Sequence, residues 1–129
     1  MEIIAAHSPE HLPAIRGLFT EYASTLGTNV CLRDFDRELA ELPGRYAPPE
    51  GRLLLTLEAG EAAGCAAFRK LADGVCEMKR LYVRPAFRGK GLGRALAETL
   101  IRAARDAGSH RALRIAGVPS PATFRRLCP

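Results

Sequence analysis

Apolar positions along the chain fall either into helically spaced stripes or into short strand-sized runs, and each pattern predicts its own kind of element. Leu12, Ile15, Phe19, Tyr22 and Leu26 fall three or four residues apart, the spacing of one helix face. Ser8 as N-cap, Pro9 at the first helical position, Glu10 in the first turn and Gly27 at the close predict a helix over residues 8–27. Pro13 then falls near its first turn, where proline is tolerated. A shorter helix is expected over residues 34–42, with Phe35, Leu39 and Leu42 on one side and Pro43-Gly44 as its stop. Strands are expected at EIIAA (2–6), RLLLTLE (52–58), AAGCAAFRKL (62–71), VCEMKRLYV (75–83) and RALRIAGV (111–118). Ala59-Gly60-Glu61 turns the second of these into the third, and Asp73-Gly74 is the strongest hairpin signal in the chain. A helix from Gly91 to about Ala107, capped by Gly108, joins the last two strands. The order β-α-α-β-β-β-α-β implies a mixed α/β domain whose final connection is a parallel crossover, right-handed by default.

With 129 residues the chain is expected to form one domain, 1–129, and 47% hydrophobic residues allow it a core. Repeats, low-complexity stretches and a signal-peptide pattern are missing from the sequence, and its apolar runs fall well short of the roughly 20 residues of a membrane span. Cys31, Cys65, Cys76 and Cys128 show no C-x-x-C spacing, and His7, His11 and His110 are scattered. Reduced thiols, no metal and a soluble cytoplasmic protein are therefore expected. The net charge of +5 favours an anionic partner, and its distribution says more. Lys79, Arg80, Arg84, Arg88, Lys90 and Arg94 fall within sixteen positions, with Glu77 the one acid close by in sequence. Such clustering at one loop, without interleaved aromatics, argues against a nucleic-acid platform. Neither a nucleic-acid nor a membrane partner is expected.

That basic cluster surrounds Gly89, Gly91 and Gly93, at the head of the last helix. Glycine there costs helix propensity, about 1 kcal/mol per residue against alanine. It also clears side chains from backbone N–H groups that lack helical partners and sit at the positive end of the macrodipole. An anion, phosphate or pyrophosphate, is the expected occupant. The loop is not a Walker A motif, because Lys90 is followed by Gly91 rather than Ser or Thr. G-x-G-x-G also misses the dinucleotide fingerprint, and the preceding strand closes an antiparallel meander instead of opening a β-α-β unit.

RGKGLG, with Arg88, Gly91 and Gly93, resembles the R/Q-x-x-G-x-G/A signature of the GNAT superfamily of acetyl-CoA-dependent N-acetyltransferases. The likeness is strongest from Val75 to Gly108, through EMKRLYVRPAFRGKGLGRAL, and the element order matches over residues 1–117. It implies a GNAT-like acyl-CoA N-acyltransferase fold and transfer of acetyl from acetyl-CoA, the co-substrate, to a primary amine by direct attack in a ternary complex. It implies that main-chain groups of Leu81, Tyr82 and Val83 pair with the pantetheine arm. The amides of Arg88, Gly89, Lys90, Gly91, Leu92, Gly93 and Arg94 would hold the pyrophosphate. Glu77 is implied as the general base, with pairing to Lys79 or Arg80 as the alternative. Phe19 and Tyr22 are expected in the core or cleft wall, and Phe87 as a plug under the loop. Glu98 and Arg102 have the spacing of an i,i+4 pair.

The tail AGVPSPATFRRLCP departs from the family pattern. Phe124 stands where many members have a tyrosine that protonates the CoA thiolate, and the terminal β-hairpin is expected to be missing. The strand at 111–118 would then be an open edge. A truncated product, a homodimer pairing through that edge, and a minimal variant all remain open. So does a second function, a non-catalytic acyl-CoA-binding remnant. The acids Asp34, Asp36, Glu38 and Glu41 are read as a solvated helix face, with attraction of a cationic amine as the alternative. A small molecule, a peptide N-terminus or a lysine side chain could be the acceptor.

Overall fold

The computed structural model describes residues 1–26, 32–108 and 112–115. Cys31, His110, Cys128, Phe124 and the tail read as lacking a hairpin lie outside the described residues. In chain order the elements are β1 (Glu2–Ala5), α1 (Leu12–Leu26), α2 (Leu32–Glu41), β2 (Arg52–Glu58), β3 (Glu61–Ala72), β4 (Val75–Val83), α3 (Leu92–Asp106) and β5 (Ala112–Ile115). Short 3₁₀ turns at Gly44–Tyr46 and Pro85–Phe87 precede β2 and α3. The sheet order is β1-β2-β3-β4-β5, antiparallel through β4 and parallel between β4 and β5. This is the mixed α/β order read from the sequence.

Turn chemistry sets the meander. Ala59 and Gly60, both at positive φ (52° and 83°), reverse the chain between the paired Glu58 and Glu61, as a two-residue hairpin requires. The start of α1 differs from expectation. Residues 8–11 form a turn, with the His11 N–H donating to Ser8 O, and the first helical bond runs from Ile15 N–H to His11 O. A helix begun at Ser8 would have needed an N–H from Pro13, which has none. Starting at Leu12 places that proline inside the first turn.

Two cores fill the two faces of the sheet. On one face Ile15, Leu18 and Phe19 of α1 and Phe35 of α2 pack with Leu53, Leu55, Cys65, Ala67 and Tyr82. On the other, Leu96, Leu100 and Ala104 of α3 pack with Leu54, Ala66, Phe68, Cys76 and Met78. Cys65 and Cys76 are thus buried in separate cores, outside any disulfide.

Strand β4 changes face midway. Met78 and Tyr82 are four residues apart and would share a face in a regular strand, yet they lie in opposite cores. The register explains this: Ala67 pairs with Lys79 and Cys65 with Tyr82, so Arg80 and Leu81 together oppose the single Ala66. Two residues against one is a β-bulge. Its first residue, Arg80, has φ of 62°, in the left-handed region.

Because α3 carries the loop ahead of it, its docking fixes where that loop sits. Leu100 is fully buried, and Leu100→Ala is expected to lower stability by about 2–5 kcal/mol. The exposed Leu71→Ala should stay within about 0.5 kcal/mol of the parent. Urea unfolding measures both; equal effects would show that α3 is not docked on this core.

Candidate functional site

Beyond the bulge, β4 runs along an open edge. β5 pairs with residues 75–78 alone, so among the described strands nothing pairs with residues 79–83 on that side. Leu81, Tyr82 and Val83 therefore lie beyond the last described β4–β5 pair, Met78 with Ile115. Leu81 is exposed, while the Tyr82 side chain turns into the core and meets Tyr22 edge-on, ring centroids 6.1 Å apart. The chain then makes the Pro85–Phe87 turn and enters the glycine loop.

The loop is an exposed backbone cradle at a helix N-terminus. Gly89 and Gly91 have φ of 84° and 80°, and Gly91 is the N-cap of α3. The first bond of the helix is Ala95 N–H to Gly91 O at 3.0 Å, which leaves the amides of Leu92, Gly93 and Arg94 ahead of it. A side chain at Gly89 or Gly91 would meet nothing within 4 Å, so the space above both is open. Their glycines are required by φ. Gly93 differs: its φ is ordinary, and an added Cβ would sit 3.7 Å from Val83 Cγ2, a normal contact. The fold does not need glycine there.

The cations that look clustered in sequence divide in space. Arg80 and Arg84 face α1 and α2, where Arg80 grips Glu38 and the Arg84 Nη2 reaches Glu21 Oε2 at 2.7 Å. Arg88, Lys90 and Arg94 stay at the loop. Arg88 Nε donates to Val83 O at 2.9 Å, and its guanidinium lies over the Tyr82 ring, which ties the loop back to β4. Lys90 lies over the half-buried Phe87, 5.8 Å from the ring centroid. Arg94 pairs with Glu98 at 2.9 Å, so Glu98 takes Arg94 as its i,i+4 partner, where the sequence suggested Arg102.

Glu77 lies on the α1–α2 face, one residue before Met78, and its carboxylate is only 14% exposed. Its partner is the cross-strand Arg69, whose Nε and Nη2 both reach Oε1 at 3.2 Å, in place of Lys79 or Arg80. Burial, with Arg80 and Arg69 alongside, lowers the pKa of the neighbouring Lys79 ammonium.

Sequence reading missed a third group, the contacts around Arg80. Its Nε and Nη2 donate to Glu38 Oε2 and Oε1 at 2.8 and 3.1 Å, and the Tyr46 hydroxyl donates to the same Oε1 at 2.9 Å. The guanidinium also lies over the rings of Phe35 and Tyr22, at 5.2 and 5.8 Å from their centroids. Behind it, the Cys65 thiol donates to the Arg80 carbonyl at 3.2 Å. Burial pushes that thiol up to about 12, so it remains a donor. Glu38 is therefore not on a solvated helix face as expected. No local signal marks this, because Glu38 and Arg80 are 42 residues apart.

Comparison with known proteins places this arrangement. The profile of the Acetyltransferase (GNAT) family matches residues 13–127. An uncharacterized N-acetyltransferase of Schizosaccharomyces pombe is 38% identical over 104 residues, 79% of this chain and 64% of that protein. The chain thus spans somewhat less than two thirds of that relative's length. A GNAT-family acetyltransferase from Staphylococcus aureus superposes with a TM-score of 0.74 at 14% identity, over 91% of this chain and 72% of that one. A Mycobacterium tuberculosis protein in complex with CoA and NLQ does so at 0.64 and 20%, over 99% and 81%.

The two kinds of glycine are separable. Gly91→Ala forces alanine to φ of 80° and is expected to cost about 1–2 kcal/mol. Gly93→Ala, inside the helix, should leave stability unchanged or raise it by up to about 1 kcal/mol. Thermal melts read both, and a Gly93→Ala variant as unstable as Gly91→Ala would contradict the assignment.

Proposed function

The chain belongs to the GNAT family of acetyltransferases, and from that premise we propose that it transfers an acetyl group from acetyl-CoA to a primary amine. The observation that carries this reading is the cradle of residues 88–94. There, the amides left over at the α3 N-terminus lie beside the bare positions Gly89, Gly91 and Gly93, with Arg88, Lys90 and Arg94 around them, and follow on from β4 residues that no described strand pairs on one side. A diphosphate suits the cradle. With it seated there, the pantetheine arm would run along residues 81–83 and pair with their main chain, much as an added strand does. The CoA-bound neighbour of like fold supports that ligand.

The chemistry then needs little from side chains. The amine nitrogen attacks the thioester carbonyl carbon, the C–S bond breaks, and the proton that the nitrogen sheds on becoming an amide ends on the departing sulfur, giving the CoA thiol. An amine arrives as ammonium and must first lose a proton. Glu77 is the carboxylate we assign to take it, directly or through one water. Arg69 holds that carboxylate in place by bonding Oε1. Main-chain amides at the bulge end of β4 would stabilise the charge that develops on the carbonyl oxygen.

Acetyl-CoA at a hundred times its dissociation constant should stabilise the parent by about 2.7 kcal/mol. Gly93→Ala should abolish that gain while melting like the parent without ligand. Glu77→Gln should keep the gain and lose about 10²–10⁴-fold in turnover of an accepted amine. A parent that gains stability but acetylates none of a broad amine panel would support a non-catalytic acyl-CoA-binding domain instead.

A further inference from the structure

The bulge in β4 carries a residue that its own backbone disfavours. A bulge whose first residue sits at φ of 62° is normally built with glycine, which takes that conformation without strain. Here it is arginine, the side chain extends to α2, and everything around it is arranged to hold it. Glu38 takes two of its N–H groups, Tyr46 fixes Glu38, Phe35 and Tyr22 sandwich the guanidinium, and Cys65 takes the carbonyl behind it. The pair is largely buried, with the side chains of Arg80 and Glu38 14% and 21% exposed. A charged pair so placed is a poor way to gain stability, since apolar residues would serve as well. What it supplies is a fixed geometry at one peptide.

We propose that Glu38 is a positioning residue for acetyl transfer: by clamping Arg80 it holds the β4 bulge in register and so sets where the main chain of Leu81 meets the thioester. This rests on the reading of β4 as the strand that takes the acyl arm. The hydrogen bonds of Glu38 go to Arg80 and Tyr46, and no group of the cradle is among them. Removal of Glu38 should therefore disturb the acyl end of the site and spare the diphosphate end. In an ordinary structural ion pair the two ends would weaken together, or neither would.

The test is amide NMR and steady-state kinetics on the parent, Glu38→Ala, and Glu38→Ala combined with Arg80→Gly. Glycine at position 80 takes the bulge conformation with no clamp, so it should rescue. In the free proteins, hydrogen exchange at the Tyr82 amide, in the pair with Cys65 that follows the bulge, should quicken at least tenfold in Glu38→Ala and return toward the parent in the double variant. With acetyl-CoA, Glu38→Ala should keep the shifts at residues 89–94 and a dissociation constant within threefold, while losing the shift at Leu81. Its kcat should fall at least tenfold, and the double variant should recover most of that. Parent-like exchange and kcat in Glu38→Ala, or no rescue by glycine, would overturn the proposal. If the parent itself shows no acetyl-CoA shifts at residues 89–94, the acetyl-CoA reading fails, and the exchange data still decide whether Glu38 holds the bulge. Should Glu38→Ala not fold, Glu38→Gln, which keeps the shape and removes the charge, replaces it in every arm with the same direction of effect.

Discussion

The rest of the structure turns on one inserted residue in β4. Without the bulge at Arg80, the alternation of side chains would send Tyr82 into the α3 core and Val83 toward α1, and neither half of the site would meet the other. With it, the strand serves two packing problems in sequence. Its first half, through Cys76 and Met78, anchors α3. Its second half puts Tyr82 under α1, and no described strand pairs with its backbone on the β5 side. The same insertion puts Lys79 and Arg80 on one face, which lets a helix 42 residues earlier in the chain take hold of the strand.

The glycine cradle depends on that frame. A helix N-terminus binds an anion only as well as it is fixed in place. Three contacts fix it here: Leu96 and Leu100 in the core, Arg88 on the Val83 carbonyl, and the Arg88 guanidinium over the Tyr82 ring. Gly89 and Gly91 make the turn possible, while Gly93 leaves the helix surface bare. The charge is divided in the same sense. Arg80 and Arg84 are tied to α2 and α1 by Glu38 and Glu21, and the loop keeps the cations that lie at its rim. Net charge alone could not have separated these two groups.

Much of this was legible in the sequence. β2 and β4 run over the residues that their short apolar runs and flanking turns mark, and α3 begins one residue after the predicted Gly91. These elements are defined by local signals: period, turn residues and caps. What was not legible is non-local or conformational. α1 starts at Leu12 because a proline without an N–H outweighs a good N-cap signal at Ser8. Glu38 reads as a solvated acid because its partner is far off in sequence, and Glu77 takes Arg69, which strand register alone brings opposite it. The left-handed φ of Arg80 carries no sequence mark at all, since the residue that marks such a site is glycine. No described helix is long and apolar enough to cross a membrane.

The central claim is that the cradle at residues 88–94 holds a diphosphate, and one comparison tests it directly. Calorimetric affinity for acetyl-CoA should be set against that for S-acetylpantetheine, which has the same thioester and arm and lacks the diphosphate. If the backbone amides and rim cations of the cradle supply the binding, acetyl-CoA should bind at least a hundredfold more tightly, a difference of about 2.7 kcal/mol, and the gap should narrow with added salt. Equal affinities for the two would contradict the account and leave the glycines without a ligand.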